Sequence, residues 1–213
     1  MVSDYESIIN NYDKLNFKSP IQEYNNLIIP SELKLNNIKS KRVVVKERYG
    51  SGSKDIGVNL SKENAAKFYK KLKNPIFQPY IKGLEVSVDA YVDLNKKVKG
   101  VIIRSRTLIV NGESQITEII INEELEKIFK KIIESLNLYG HINLQAFIGK
   151  NNKISIIECN PRFGGASTLS VKAGLDSFYW FILESSGVNI NNYPFFKPKK
   201  SLKQIRFSQD YYL

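Results

Sequence analysis

The segment that most constrains the fold is a pair of apolar runs joined by two asparagines, at residues 140–160 (GHINLQAFIGKNNKISIIECN). Two strand-like runs on either side of a short polar pair predict a β-hairpin. A symmetric two- or four-residue turn at Asn151–Asn152 would place Gln145 directly opposite Glu158. A chain with this segment needs an antiparallel sheet that carries polar side chains on one face.

The end of the second run carries three polar side chains at alternate positions. Glu158, Asn160 and Arg162 leave the same face of an extended chain, because side chains alternate along a strand. Directly opposed Cβ atoms lie about 4.5–5.5 Å apart, so the oxygens of Gln145, Glu158 and Asn160 could share one small cation. Oxygen ligands without His or Cys suit Mg²⁺ or Mn²⁺. The alternative is a solvated sheet face with ordinary polar pairs.

The remaining patterns predict an α+β protein whose strands pair mainly as hairpins. The dipeptide Asn111–Gly112, between two β-branched runs, is the strongest short hairpin signal. Apolar residues at helical spacing predict a helix capped by Asn122, and further helices are predicted over residues 61–73, near Ser167 and near Asp176. Because hairpins predominate, a doubly wound parallel sheet is not expected.

Composition limits the compartment and the partners. The formal net charge of +11 fits a solvated lysine surface, an anionic small ligand such as a nucleotide, or a nucleic-acid surface. The single cysteine, Cys159, excludes an internal disulfide framework and is predicted to point into the core. No apolar run approaches the ~18 residues of a membrane span, and the start of the chain lacks a signal-peptide pattern. We therefore expect a cytoplasmic protein without a membrane partner.

Two further segments have features of nucleotide-binding loops. Residues 46–57 (KERYGSGSKDIG) form a Gly/Ser loop whose backbone N–H groups, together with Lys46, could hold phosphate oxygens. In residues 77–89 (FQPYIKGLEVSVD), Pro79 would leave backbone groups free for a base edge, and Glu85 could accept from ribose hydroxyls. Taken alone, the first segment is more typical of a flexible hairpin loop, and a simple bend explains the second equally well.

Together and in this order, the three segments resemble the ATP-grasp superfamily, particularly its carbamoyl-phosphate-synthase-like and carboxylate–amine ligase branch. VVVKERYGSGSKDIGV is similar to the family's lysine strand and glycine loop, and FQPYIKGLEVSVDAYV to the hinge that holds adenine. GHINLQAFI with IIECNPRFGGAS resembles the metal-binding hairpin and is the most specific match. The resemblance extends over residues 42–187 and implies two lobes, each with a mainly antiparallel sheet and helices, that hold ATP between them.

The resemblance also implies a role for each matching residue. The residues expected to bind ATP are Lys46 on the phosphates, Gly50, Ser51, Gly52 and Ser53 as a mobile flap, Gln78, Tyr80 and Ile81 at the adenine, and Glu85 at the ribose. The expected Mg²⁺ ligands are Gln145, Glu158 and Asn160. The expected catalytic residues are Arg162, which would stabilise the γ-phosphate or an acyl phosphate, and Arg104 and Arg106, which would contact phosphate or the acid substrate. Lys14, in the YDK motif of residues 12–14, resembles the family's other phosphate lysine.

The implied chemistry is that of an ATP- and Mg²⁺-dependent ligase. A small-molecule carboxylate would attack the γ-phosphate, and an amine would capture the resulting acyl phosphate. One alternative is a catalytically reduced ATP-binding module or a subunit that needs a partner. The other is a basic nucleic-acid-binding protein, but the lysines are dispersed and no known module is present, so no nucleic-acid partner is expected.

The expected lobes are residues 1–80 and residues 81–200, followed by a tail at residues 201–213. Two features depart from the family pattern. Gln78 stands where an acidic residue is common, which could weaken the contacts with adenine. The family's usual N-terminal α/β domain is missing from the sequence, so a separate chain could supply it.

Overall fold

The structure is a computed structural model that describes residue 3, residues 5–50 and residues 55–207. Its helices are α1 Tyr5–Tyr12, α2 Gln22–Asn25, α3 Lys62–Phe68, α4 Glu123–Ser135, α5 Ser167–Lys172 and α6 Ser177–Ser185. Its strands are β1 Arg42–Glu47, β2 Gly57–Ser61, β3 Pro75–Pro79, β4 Leu84–Val92, β5 Val98–Ser105, β6 Leu108–Val110, β7 Glu113–Ile120, β8 Gly140–Ile148, β9 Ile154–Asn160 and β10 Lys203–Ile205. Short 3₁₀ helices occupy Leu35–Asn37, Tyr69–Lys71, Lys150–Asn152 and Ile190–Asn192.

The strands form two sheets. The small sheet has the order β2-β1-β3, and the large sheet has the order β10-β7-β5-β4-β8-β9, with β6 paired to β7. All pairings between these named strands are antiparallel. The α+β prediction, with two mainly antiparallel sheets, is therefore confirmed.

Each sheet has its own apolar core. Val43, Val45 and Phe77 of the small sheet pack with Ala65 of α3. The large sheet packs one face against α4 and its other face against α5 and α6. Fully burying one large apolar side chain stabilises the fold by about 1.5–3 kcal/mol, so these contacts fix the order of the layers. None of the helices in the described part of the chain combines the length and the apolar character needed to span a membrane.

The predicted local signals are confirmed at most helix and hairpin ends. The side chain of Asn122 accepts a hydrogen bond from the Leu125 N–H and caps α4, while Ser61 caps α3. Asn111 and Gly112, with φ values of 51° and 79°, form the turn between β6 and β7. This is the left-handed conformation that a two-residue hairpin turn requires.

The hairpin of β8 and β9 differs from its prediction in the turn. A symmetric turn at Asn151–Asn152 would pair Ile148 with Ser155, but the structure pairs Ile148 with Ile154. The turn instead spans residues 149–153, closed by a 2.8 Å hydrogen bond from the Gly149 N–H to the Lys153 carbonyl. A β-bulge at Ile157 then restores the predicted pairing of Gln145 with Glu158. The turn includes the two predicted asparagines, but its predicted symmetric register is wrong. The predicted opposition of Gln145 and Glu158 is confirmed.

An N-terminal segment joins the two sheets. The Ile29 N–H donates to the Ile156 carbonyl at 2.9 Å, so this segment runs beside β9 of the large sheet. Three residues later, the backbone of Glu32 exchanges two 2.9 Å hydrogen bonds with that of Phe77 in β3 of the small sheet. Residues 29–32 therefore connect the two sheets at one side of the space between them.

Two segments do not lie where the expected lobe boundaries place them. Phe17, placed by prediction in the first lobe, packs in the core of the large sheet. Lys203–Ile205, predicted to be part of a tail, forms β10 at the edge of the large sheet and pairs with β7. The boundaries at residues 80 and 200 stay predictions, since a lobe can include segments that are distant in sequence.

Candidate active site

A cavity of about 690 Å³ lies between the two sheets. Every predicted site residue that the structure describes lines it: Lys14, Lys46, Gly50, Gln78, Tyr80, Ile81, Glu85, Arg104, Arg106, Gln145, Glu158, Asn160 and Arg162. The remaining predicted residues, Ser51, Gly52 and Ser53, lie outside the described residues. Residues predicted from distant parts of the sequence thus meet in one space.

Lys46 provides a cation on the small-sheet side. Val43 and Val45 of β1 point into the small core, so the alternation of the strand turns Lys46 toward the cavity. Burial lowers the pKa of Lys46 to about 8, although the Glu158 carboxylate acts in the opposite direction. The Lys46 ammonium makes no hydrogen bond to any residue that the structure describes, so its donors are available to a ligand.

Residues 12–14 lie against residues 48–50. The ring of Tyr12 stacks on that of Tyr49, with centroids 5.8 Å apart. The guanidinium of Arg48 contacts both carboxylate oxygens of Asp13, at 2.7 and 2.6 Å. Lys14 donates to the Gly50 carbonyl at 2.6 Å, and burial lowers the pKa of Lys14. These contacts hold Lys14 at the base of the glycine loop and beside Lys46.

One end of the cavity is mainly apolar. Its lining residues include Ile29, Val44, Ile81, Phe147 and Ile157. The bulge exposes Ile157 here, because it turns both Ile157 and Glu158 away from the core while Cys159 stays buried. The prediction that Cys159 points into the core is confirmed, and burial raises the pKa of its thiol.

Gln78 is fixed by a chain of hydrogen bonds. Its side-chain amide donates to the Ser31 hydroxyl at 2.8 Å, and that hydroxyl donates to the Lys14 carbonyl at 2.8 Å. A carboxylate at this position could not donate the first of these bonds. The departure of Gln78 from the family pattern therefore has a local structural reason. Ser31 was not predicted, since it lies in a segment without a clear pattern.

Glu85 and Arg106 form an ion pair inside the cavity, with 2.8 Å between Oε1 and Nε. Burial raises the pKa of Glu85, and the Arg106 guanidinium acts against that rise. Arg106 also donates to the Gly112 carbonyl at 2.9 Å and to the Ser87 hydroxyl at 3.3 Å. Both predicted ligand-binding groups are thus engaged with each other, and their expected contacts with ribose and substrate stay predictions.

Arg104 is buried and paired with Asp89, with 2.7 Å between Nε and Oδ2. Although burial opposes ionisation, the charge of Arg104 and several hydrogen bonds hold the pKa of Asp89 below its usual range. Asp89 also accepts hydrogen bonds from Asn143 at 2.6 Å, Ser167 at 2.9 Å and Ser170 at 2.6 Å. Asp89 was not predicted, and the structure places it at the centre of a buried network under the cavity.

Gln145, Glu158 and Asn160 bring oxygen ligands to the large-sheet wall. The Asn160 amide donates to Glu158 Oε1 at 3.0 Å, and Arg162 donates to Asn160 Oδ1 at 3.4 Å. No group of three or more His, Cys, Asp or Glu residues that could hold a metal occurs in the described part of the chain. One carboxylate and two amide oxygens fit Mg²⁺ or Mn²⁺ only if phosphate and water complete the shell, as is usual for Mg²⁺.

A family model matches residues 71–206, more than half of the chain, and this family is "ATP-grasp in the biosynthetic pathway with Ter operon". No curated protein sequence matches the chain.

Several solved structures share the fold. The biotin carboxylase domain of Hydrogenobacter thermophilus 2-oxoglutarate carboxylase, solved with MgADP, ADP and bicarbonate, is 14% identical with a TM-score of 0.77, and the match covers 95% of this chain and 51% of that one. Biotin carboxylase from Campylobacter jejuni is 18% identical with a TM-score of 0.73, over 88% of this chain and 49% of that one. D-alanine–D-alanine ligase from Coxiella burnetii is 13% identical with a TM-score of 0.62, over 87% of this chain and 61% of that one. The ATP-grasp fold implied by the sequence resemblance is thereby confirmed, and the chain spans about half the length of the two carboxylases.

Proposed function

The chain belongs to the ATP-grasp family whose model matches residues 71–206, and on that premise we propose that it binds MgATP in the cavity and activates a carboxylate. A carboxylate oxygen attacks the γ-phosphorus, the bond to the β-phosphate oxygen breaks, and ADP leaves. An amine then attacks the acyl carbon of the acyl phosphate and releases inorganic phosphate. This is the carbamoyl-phosphate-synthase-like chemistry of the family branch that the sequence resembles.

One observation carries the proposal. Lys46 on the small sheet has a buried ammonium that makes no hydrogen bond within the described part of the chain, and it lines the same cavity as Glu158 and Asn160 on the large sheet. A buried cation costs free energy unless it is paired or hydrogen-bonded. Triphosphate oxygens between the two walls would provide that partner and would complete the shell of a Mg²⁺ ion.

The cavity residues have different roles, which follow from the chemistry of their side chains. The apolar end, with Val44, Ile81 and Ile157, fits the faces of an adenine ring. Lys14 and Lys46 bind phosphate oxygens, and Gln145, Glu158 and Asn160 would hold Mg²⁺, which supplies positive charge to the transferring phosphoryl group. Arg162 neutralises charge on the γ-phosphoryl group. Because phosphoryl transfer needs little covalent help from protein, positioning and charge neutralisation supply most of the rate.

Similar proteins support this assignment. One of the structures with this fold is a complex with MgADP, another is a complex with β,γ-ATP, and a third is a D-alanine–D-alanine ligase. Since this chain spans about half the length of the carboxylases, we also propose that a further domain or a separate chain contributes to the binding of the acid and the amine.

The test is a screen of carboxylic acids and amines for ADP release, with and without gene products encoded nearby. The acid should stimulate ADP release only with Mg²⁺, and hydroxylamine should trap the acyl phosphate as a hydroxamate. Glu158→Gln should remove most of this turnover, while Glu118→Gln, at an exposed ion pair with Lys203, should leave it unchanged. MgATP binding that is absent altogether would overturn the proposal.

The ion pairs of Arg104 and Arg106 favour a second candidate, a module that binds ATP without turning it over. Two of the three predicted catalytic arginines are already paired with Asp89 and Glu85. Such a module would bind MgATP with normal affinity and would release no ADP with any acid, amine or neighbouring gene product. The same screen therefore separates the two candidates.

A further inference from the structure

The segment between β9 and α5 carries Arg162 and is held by a stack of three rings. The centroid of the Phe163 ring lies 3.8 Å from that of His141, with the planes 13° apart. On its other side it lies 4.3 Å from the ring of Phe178, with the planes 7° apart. Phe163 is thus inserted between a ring on β8 and a ring on α6.

The inner ring of the stack is fixed. The side chain of His141 is 3% exposed, and its Nδ1 lies 2.9 Å from the Ser177 hydroxyl. Its Nε2 lies 3.6 Å from Oδ1 of the buried Asp89. The outer ring, Phe178, is 57% exposed, and its position over Phe163 gives this exposed apolar side chain a structural role.

The backbone beside Phe163 is held as well. The Gly164 N–H donates to the Ser167 hydroxyl at 2.8 Å, and that hydroxyl donates to Asp89 at 2.9 Å. The Arg162 guanidinium donates to the Phe163 carbonyl at 3.2 Å and to Asn160 Oδ1 at 3.4 Å. The backbone carbonyl of Phe163 therefore accepts one hydrogen bond of the exposed Arg162 side chain, so the position of this peptide affects the guanidinium.

We propose that Phe163 is a positioning residue. It holds the peptide of Arg162 so that the guanidinium stays beside Asn160, where the phosphates of the nucleotide are proposed to bind. Arg162 and Gly164 line the cavity and Phe163 does not, so Phe163 acts through its neighbour without touching the nucleotide. This inference rests on the proposed function, in which Arg162 meets the γ-phosphoryl group. It assigns a role to the ring stack that is separate from that of the metal ligands.

The test compares the dissociation constant for MgADP with that for MgADP plus fluoroaluminate, which mimics the transferring phosphoryl group. Wild-type protein should bind the fluoroaluminate complex more tightly, and the ratio of the two dissociation constants is called the gain. Phe163→Leu should leave the MgADP constant unchanged and reduce the gain from fluoroaluminate about tenfold, because a small displacement of a positioned group is costly. Phe163→Tyr, which keeps the stack, should retain the gain. Tyr179→Leu, an aromatic change on the same helix that contacts Tyr193 instead, should have no effect.

A double-variant cycle shows whether Phe163 acts through Arg162. The gain in Arg162→Ala/Phe163→Leu should equal that in Arg162→Ala alone, because the second change has nothing left to displace. If Phe163→Leu does not fold, Phe178→Leu takes its place, since it removes only the exposed ring and should reduce the gain about threefold.

Some outcomes would overturn the inference. Additive effects in the cycle, an unchanged gain in the stack variants, or a fall in MgADP affinity equal to the fall in the gain would each exclude a positioning role. A wild-type protein that binds MgADP without any gain would also reject it, while leaving nucleotide binding intact. A wild-type protein that does not bind MgADP would instead contradict the proposed function.

Discussion

Gln145 lies directly opposite Glu158 across β8 and β9, and a β-bulge at Ile157 produces this pairing. Up to Ala146 and Ile156 the two strands follow the register set by the turn. The extra residue Ile157 then shifts the register by one position, so Ile157 and Glu158 both face the cavity. Bulges of this kind re-aim side chains next to functional sites.

The first prediction is that Gln145 and Glu158 act on one ion. Removing either ligand already spoils the shell that the other completes, so the two effects should not add. Gln145→Ala/Glu158→Ala should weaken Mg²⁺-dependent ATP binding by at most about threefold beyond the worse single variant. Titration of Mg²⁺ at fixed ATP measures this. Strictly additive single effects would show that the two residues do not share a site.

The second prediction concerns the bulge. After deletion of Ile157, the residue that follows Ile156 is Glu158, so the regular ladder still places this carboxylate opposite Gln145. The Mg²⁺ dependence of ATP binding should therefore be retained. The affinity for adenosine should fall, because the deletion removes an apolar side chain that lines the cavity.

Ile157→Ala is the matched control for this deletion, since it keeps the bulge and removes most of the same side chain. Both variants should lose adenosine affinity to a similar extent. Loss of Mg²⁺ dependence in the deletion alone would mean that the bulge itself, rather than the pairing, aims Glu158.

The third prediction uses the pKa of Lys46, which burial lowers to about 8. Between pH 8 and the unfolded value of about 10.4, the unfolded chain binds more protons, so the free energy of unfolding should rise with pH. The affinity for ATP should fall over the same range, since deprotonation removes the charge that meets phosphate. Over this pH range the free energy of unfolding of the wild type should rise on the order of 2 kcal/mol more than that of Lys46→Met.

Chemical denaturation and ATP titrations between pH 7 and 10 measure the two effects. Lys46→Met provides the baseline, because it keeps the stem of the side chain and cannot titrate. If ATP affinity has the same pH dependence in both proteins, another group carries it.

The resemblance to a known family predicted which groups meet in the cavity, because its motifs lie in segments that are distant in the sequence. Strand alternation, which is local, predicted only that Glu158, Asn160 and Arg162 share one face. The ion pairs were not predictable in this way. Asp13 and Arg48, or Asp89 and Arg104, are brought together by chain segments whose relative position no local pattern fixes. The bulge at Ile157 was also missed, because an isoleucine there fits a regular strand equally well.

The last prediction separates a structural role of Arg104 from the catalytic role that the sequence suggests. Removing one partner of a buried ion pair leaves the other charge uncompensated and typically costs about 3–5 kcal/mol. Asp89→Asn should therefore lower the free energy of unfolding by about this amount, because Arg104 is buried beside it. Asp89→Asn/Arg104→Met should be more stable than the sum of the two single changes predicts.

The pH dependence of Arg104→Met tests the same pair. In the wild type the pKa of Asp89 is lowered, so its contribution to stability is present above the unfolded value of about 3.9 and is lost as the pH falls below it. Without Arg104, burial raises the pKa of Asp89, and the variant should gain stability relative to the wild type as the pH falls from 7 to 4. Urea unfolding at the two pH values measures the difference, with Arg42→Met as the control, because the exposed Arg42 guanidinium donates to the Asn59 carbonyl rather than to a carboxylate. If the free energies of unfolding of Arg104→Met and the wild type differ by the same amount at pH 7 and at pH 4, Arg104 does not hold the charge of Asp89. Its guanidinium would then be available to a ligand.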